Sequence, residues 1–237
     1  MKLEIDIKYL TGITLGFVLF TIIGTVSHEL GHTVIAKSLG YETALHYGSM
    51  NYDHSDYKKR IVDIYNEHKL KIDSGTEFID KAEYELGIKK LTNDILLVRI
   101  GGPLQTIITG ILGLIIIYWR RKRIKAYGLK LFDWLAIFLS LFWLREVFNL
   151  ATSIGSELVN PEGSYFGGDE KKISELLNVW NGTVSCILGI VGLVISLYII
   201  FRIVPKQLRL TFIIGGFLGG LSGFILWMNI LGPKLLP

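Results

Sequence analysis

Four stretches of this chain carry no Asp, Glu, Lys or Arg over 20 residues or more: Tyr9–His28, Ile100–Trp119, Leu176–Phe201 and Leu210–Pro233. An α-helix rises 1.5 Å per residue, so about 20 apolar residues cross the hydrocarbon core of a bilayer. No water satisfies backbone N–H and C=O groups at that depth, and the runs must therefore be helical. Composition agrees, with 50% hydrophobic residues and 19% charged ones, below the roughly 25% usual for soluble domains. A further crossing is expected from Trp134–Leu144 and Val147–Ser156, two apolar runs separated by Arg145 and Glu146. Adjacent opposite charges can partly neutralise each other inside a membrane. The expectation is an all-α membrane protein of about five transmembrane helices, a multi-pass integral protein whose expected location is the cell membrane. Its first partner is the lipid bilayer, and no nucleic acid is expected.

The chain divides accordingly. Residues 1–40 form the first transmembrane helix, 41–93 an extramembrane cap, 94–201 helices two to four, and 202–237 a connecting loop and the fifth helix. The N-terminus mixes acids with bases and lacks an A-x-A-like cleavage site, so the first helix is expected to stay attached. In the cap, "TALHYGSMNY" reads as a strand or hairpin, while "YKKRIVDIYNEHKL" and "TEFIDKAEYELGIKKL" space apolar residues as amphipathic helices do. His46, His54 and His68 fall here and are expected to be solvated or locally hydrogen-bonded. The single cysteine, Cys186, excludes an intramolecular disulfide. Gly215, Gly216, Gly219, Gly220 and Gly223 give the fifth helix a smooth ridge suited to close packing.

Into the first apolar run the chain sets "TVSHELGHTVIA", residues 25–36. On a helix His28 and His32 project from one face and can reach one metal ion, and neutral imidazoles suit zinc. Glu29 stands where a carboxylate takes a proton from an attacking water. The alternative is a pair of core histidines with a glutamate partner, but ionisable groups at membrane depth mark function by default. A catalytic zinc needs a third protein ligand. Asp169, after Gly167 and Gly168, precedes the fourth run, and five alternating crossings return it to the His28/His32 end. Glu157, Glu162 and Glu170 compete with it.

These residues resemble the site-2 proteases, intramembrane zinc metalloproteases that cleave substrates within or near their transmembrane helices. The resemblance lies in H-E-L-G-H-x3-A-x3-G from His28 to Gly40, in "GGPLQT" opening the second run, and in an Asn-Pro and a Gly-Gly-Asp before a later one. It spans about residues 10–200 and leaves out the 41–93 insertion and the last helix. The resemblance implies one Zn2+ per chain on His28, His32 and Asp169, with Glu29 as base and a transmembrane protein as substrate. It also implies a place near the active site for Gly101, Gly102 and Pro103. In that family an asparagine assists substrate or oxyanion binding; Asn160 is the first candidate and Asn149 the second. Two departures stand out: Glu170 follows Asp169 where a glycine is usual, and Asn160-Pro161 stand apart from the aspartate. Two alternatives remain open, a prenyl-protein protease-like enzyme with a glutamate as third ligand and a non-proteolytic metal-binding scaffold. The intact Glu29 argues against the scaffold, which needs ligands but no base.

The bases of residues 120–130 and 202–209 make those loops and the N-terminus cytoplasmic by the positive-inside rule, whereas the resemblance implies a metal site nearer the cytoplasm. The charge rule is preferred here because it uses this chain directly.

Overall fold

The computed structural model describes residues 5–53, 55–163 and 166–237. Met1–Glu4, part of the expected N-terminus, lie outside the described residues, as does His54. The elements are α1 (Ile7–Ser38), a hairpin of β1 (Glu42–Leu45) and β2 (Met50–Asp53), α2 (Ser55–Asp73), α3 (Lys81–Tyr127), α4 (Leu131–Ser140), α5 (Leu144–Val159), α6 (Gly168–Leu176), α7 (Thr183–Tyr198), α8 (Arg209–Leu226) and α9 (Gly232–Leu235). Four helices are long and apolar enough to cross a membrane: Ile7–Ser38, Lys81–Tyr127, Thr183–Ile203 and Lys206–Leu235. The last two include single π-turns, Ile199–Ile203 and Trp227–Leu231. The protein is an all-α membrane protein on these grounds.

Two elements differ from the sequence expectation. The second amphipathic helix of the cap is not separate: α3 starts at Lys81 and continues through Pro103 to Tyr127, 47 residues in all. At 1.5 Å per residue it is about 70 Å long, more than twice the hydrocarbon thickness. No turn signal interrupts residues 88–100, so the helical phase of the polar part runs into the apolar part. The stretch around Arg145 and Glu146 is not one uninterrupted helix. α4 and α5 are joined by a 3-10 turn, Leu141–Trp143. A Cβ on Gly113 would lie 2.4 Å from Ser140 N, and one on Gly110 would lie 2.4 Å from Trp143 Cδ1. The turn lays Trp143 into the space that two glycines of α3 leave empty, and Glu146 begins the next helix fully inside the bundle.

The apolar core sits away from the histidines. Ile13 and Phe17 of α1, Ile117 of α3, Ile137 and Phe138 of α4, and Phe212 of α8 form one buried cluster. Phe17 meets Phe138 edge-on at 5.2 Å and Phe212 at 5.4 Å, the geometry aromatic quadrupoles favour. Asp133, fully buried at the start of α4, accepts from Arg120 Nε at 2.5 Å, from Arg123 Nη1 at 3.0 Å and from its own N-cap Lys130 N–H at 2.8 Å. Charge is tolerated there because each carboxylate oxygen has a cationic donor.

Around the other end the hairpin is fastened on both sides. Its register pairs Glu42 with Asp53 and Leu45 with Met50. Trp227 Nε1–H donates to Tyr47 O at 2.7 Å and Tyr47 N–H to Leu236 O at 2.9 Å. The Tyr41 hydroxyl donates to Asp94 Oδ2 at 2.5 Å, which Lys90 Nζ also reaches at 2.8 Å. Burial, and then this carboxylate, hold the Tyr41 phenol above its ordinary pKa.

The glycine ridge of α8 packs within the molecule. A Cβ on Gly219 would lie 2.4 Å from Thr14 O of α1, one on Gly223 would lie 2.9 Å from Val18 Cα, and one on Gly220 would meet nothing within 4 Å. Gly219→Val must push two backbones apart, and overpacking of this kind costs about 1–3 kcal/mol. The thermal midpoint in detergent is expected to fall by roughly 2–10 °C, whereas Gly220→Ala leaves it within about 2 °C, since most surface changes stay within 0.5 kcal/mol. Scanning calorimetry on both proteins checks the pair.

Candidate metal centre

α1 and α3 cross in backbone contact. A Cβ on Gly31 would lie 2.3 Å from Gly101 O, and one on Gly101 would lie 2.6 Å from Gly31 O. Any larger residue at either position would separate the helices. At the next residue, a Cβ on Gly102 would lie 2.3 Å from His32 Nε2 and 2.5 Å from His28 Nε2. The volume of the absent side chain is filled by two imidazoles.

The same face of α3 orients both rings. Val98, Gly102 and Thr106 recur every four residues and so line one side of the helix. His32 Nδ1 lies 2.6 Å from Val98 O, and His28 Nδ1 lies 3.0 Å from Thr106 Oγ1. A carbonyl oxygen only accepts, so His32 carries a hydrogen on Nδ1, and its neutral form presents a lone pair at Nε2. The Gly102 N–H also lies 3.2 Å from that Nδ1, but the shorter carbonyl contact decides the tautomer.

Asp169 completes the group from the first turn of α6. Gly168 precedes it with φ +70°, a left-handed conformation that glycine adopts without the cost of a Cβ. Asp169 Oδ2 lies 3.2 Å from His28 Nε2 and 3.0 Å from His32 Nε2. Its other oxygen, Oδ1, accepts from Arg99 Nη1 at 2.9 Å. Glu29 is buried beside them, and its carboxylate lies within 4.8 Å of ligand atoms of both histidines.

Two imidazole nitrogens and a carboxylate oxygen that face one another at these distances call for a cation or a proton between them. The set fits zinc. Ligands bound at about 2.0–2.1 Å in a tetrahedron stand roughly 3.3–3.4 Å apart, close to the separations found here. Each imidazole has an oxygen partner for its other nitrogen, the arrangement that fixes a metal-binding tautomer.

The remaining sequence candidates fall in several places. Gly101, Gly102 and Pro103 are buried at the α1–α3 crossing. Asn149 turns to Glu170, whose Oε1 accepts its amide at 2.9 Å, so Glu170 points away from the histidines although it neighbours Asp169. Asn160 caps the C-terminus of α5, exposed on a surface cleft with Thr152, Gly155, Ser156 and Val159. Among the described residues neither asparagine side chain hydrogen-bonds to His28, Glu29, His32 or Asp169. Glu157 and Glu162 are exposed. Arg145 and Glu146 are not tied to each other by Arg145 Nε, which is buried without a hydrogen-bond partner, as are both Glu146 carboxylate oxygens. His68 Nε2 meets Asp80 Oδ2 at 3.0 Å, a partner within the cap, whereas His46 Nδ1 meets Pro237 O at 2.5 Å, a partner 191 residues away.

Sequence reasoning missed Val98 and Arg99. Arg99 immediately precedes the second apolar run, which begins at Ile100. Its signal was available: it stands three residues before Gly102 and seven before Thr106, a helical interval from both.

Compared with known proteins, the chain matches no family model, no curated protein and no solved structure.

Two substitutions test the geometry. In protein purified with bound zinc, Gly102→Ala is expected to bring the metal content well below that of wild type, read by elemental analysis, because the methyl group occupies the space of the two imidazole nitrogens. Arg99→Ala is expected to weaken zinc affinity about 10–100-fold in chelator competition, the usual cost of losing a partner that orients a ligand. Arg99→Lys should recover part of the loss.

Proposed function

We propose that the chain is an intramembrane zinc metalloprotease that hydrolyses peptide bonds in or near transmembrane segments of membrane proteins, with one zinc per chain. The observation that carries this reading is the meeting of His28 Nε2, His32 Nε2 and Asp169 Oδ2 beside Glu29, on apolar helices long enough to cross a bilayer. The likeness of the HELGH and GGPLQT segments to site-2 proteases supports it.

Bound there, zinc supplies a Lewis acid that polarises a carbonyl and lets water ionise near neutral pH. Glu29 accepts the proton that the attacking water gives up and delivers it to the departing amine, so that the carboxylate is regenerated. Val98 O and Thr106 Oγ1 hold the imidazoles, and Arg99 occupies Asp169 Oδ1 so that Oδ2 faces the histidines. Asn149 is already engaged by Glu170, so an asparagine contribution to oxyanion binding is not part of the proposal.

A helical substrate hides its carbonyls in i to i−4 hydrogen bonds and must unwind to react. The β1–β2 hairpin follows α1 directly, and an extended segment pairs naturally with a strand edge. We assign it the task of holding the unwound stretch. In this reading α4, the 3-10 turn and α5 together make the third of five crossings, which returns α6 to the face where α1 ends.

An enzyme of the prenyl-protein protease kind would take a glutamate as third ligand. The engagement of Glu170 by Asn149 and the approach of Asp169 to both histidines favour the aspartate. The decisive experiment measures metal and cleavage together. Wild type is expected to hold about one zinc per chain, and Glu29→Gln to keep the metal while losing cleavage of a helical membrane substrate by at least about 100-fold, the lower range for a general base. Full cleavage by Glu29→Gln would sink the mechanism. A metal-free wild type would favour the scaffold reading.

A further inference from the structure

The end of the bundle farthest from the histidines carries a charge imbalance that the proposed chemistry does not use. The start of α1, the α3–α4 turn and the link from α7 to α8 meet there. Ile13, Ile117, Val204, Leu208 and Phe212 share one buried cluster, and the Asp6 N–H donates to Thr211 Oγ1 at 3.2 Å. Residues 5–9, 118–133 and 198–211 together hold ten Lys and Arg against two acids, Asp6 and Asp133. The 41–93 cap, by contrast, holds eight bases and ten acids.

Not all ten are available to a partner. Arg120 and Arg123 are drawn in by Asp133, and Arg209 donates to the carbonyls of Val204 and Phe201. Lys122, Lys125, Lys130 and Lys206 are exposed. Large apolar side chains stand among them: Trp119 is 76% exposed, Tyr127 75% and Leu131 77%. Water alone would leave this interleaving unfavourable. At a bilayer boundary it is favourable, because Trp and Tyr settle at headgroup level while lysines extend their charge to the phosphates.

We propose that this end is a binding surface for anionic phospholipid headgroups, held by Lys122, Lys125, Lys130 and Lys206 with Trp119, Tyr127 and Leu131 seated at the acyl boundary. A lysine ammonium is a compact charge with three donors, suited to a phosphate monoester or diester oxygen. Zwitterionic headgroups offer the same phosphate but cancel the field with their own cation, so the surface selects net negative lipid. Each lysine near an anionic surface contributes about fivefold in affinity. The inference stands apart from the protease reading, and neither depends on the other.

The test uses the whole chain in mixed micelles with equal phosphatidylglycerol and phosphatidylcholine, the retained lipids being counted by native mass spectrometry. Wild type is expected to retain phosphatidylglycerol at least about tenfold over phosphatidylcholine, with the ratio falling as salt is raised. Lys122→Gln, Lys125→Gln, Lys130→Gln and Lys206→Gln combined should bring the ratio to within about twofold of unity with circular dichroism unchanged. The same net change placed on α2, at Lys58, Lys59, Lys69 and Lys71, should keep the wild-type ratio. Equal retention of the two lipids by wild type, selectivity that survives the first set, or equal loss in the α2 set would each overturn the proposal. Should the first set lose helicity, Lys122→Gln with Lys206→Gln serves instead; an intermediate ratio supports the surface and an unchanged ratio rejects it.

Discussion

The near-contact of two helix backbones at Gly31 and Gly101 governs the geometry of everything around the histidines. It brings α3 close enough for Val98 O and Thr106 Oγ1 to reach the imidazoles of α1, and it makes Gly102 a floor without a side chain. In hydrocarbon, where lipid tails are as apolar as leucine, such close crossings are favoured by packing and by hydrogen bonds that only short separations allow. A single methyl group at the crossing would therefore disturb both the fold and the site.

The polar groups of the bundle are distributed by the same logic. Asp133 is enclosed by two guanidinium groups at one end, and Asp169 by two imidazoles and Arg99 at the other. The difference is in what remains unsatisfied. Asp133 has donors on both oxygens and needs nothing more, whereas two imidazole Nε2 atoms and Asp169 Oδ2 converge on one small space that suits a shared cation or proton. The first arrangement closes on itself, and the second matches the proposed zinc site. Nearby, the Nε atom of Arg145 and both carboxylate oxygens of the buried Glu146 keep no hydrogen-bond partner, which adds unpaired polarity to this part of the bundle.

The two ends also differ in what they expose. Near the histidines lie a hairpin, a cap with nearly balanced charge and the half-exposed guanidinium of Arg99. At the far end, lysines are interleaved with exposed aromatic side chains, the pattern on which the proposed lipid surface rests. The proposed metal site and the proposed lipid-binding surface thus lie at opposite ends of the bundle.

By itself the sequence determined the membrane-spanning character, because runs of 20 or more uncharged residues leave no soluble alternative. It also determined that His28 and His32 share one helix face, since helical phase fixes neighbours four apart whatever surrounds them. The hairpin of the cap was legible from its β-branched and aromatic residues. What lies across helices was not. Only the tertiary structure turned Asp169, and not the adjacent Glu170, toward the histidines, because a left-handed Gly168 aims the first turn of α6. Only packing engaged Asn149 with Glu170, left Asn160 on the surface, drew the polar helix of the cap into α3 and broke the third apolar stretch over Gly110 and Gly113. Arg99 is the clearest case: its partner is 70 residues away in the chain, and a local pattern carries no information about so distant a contact.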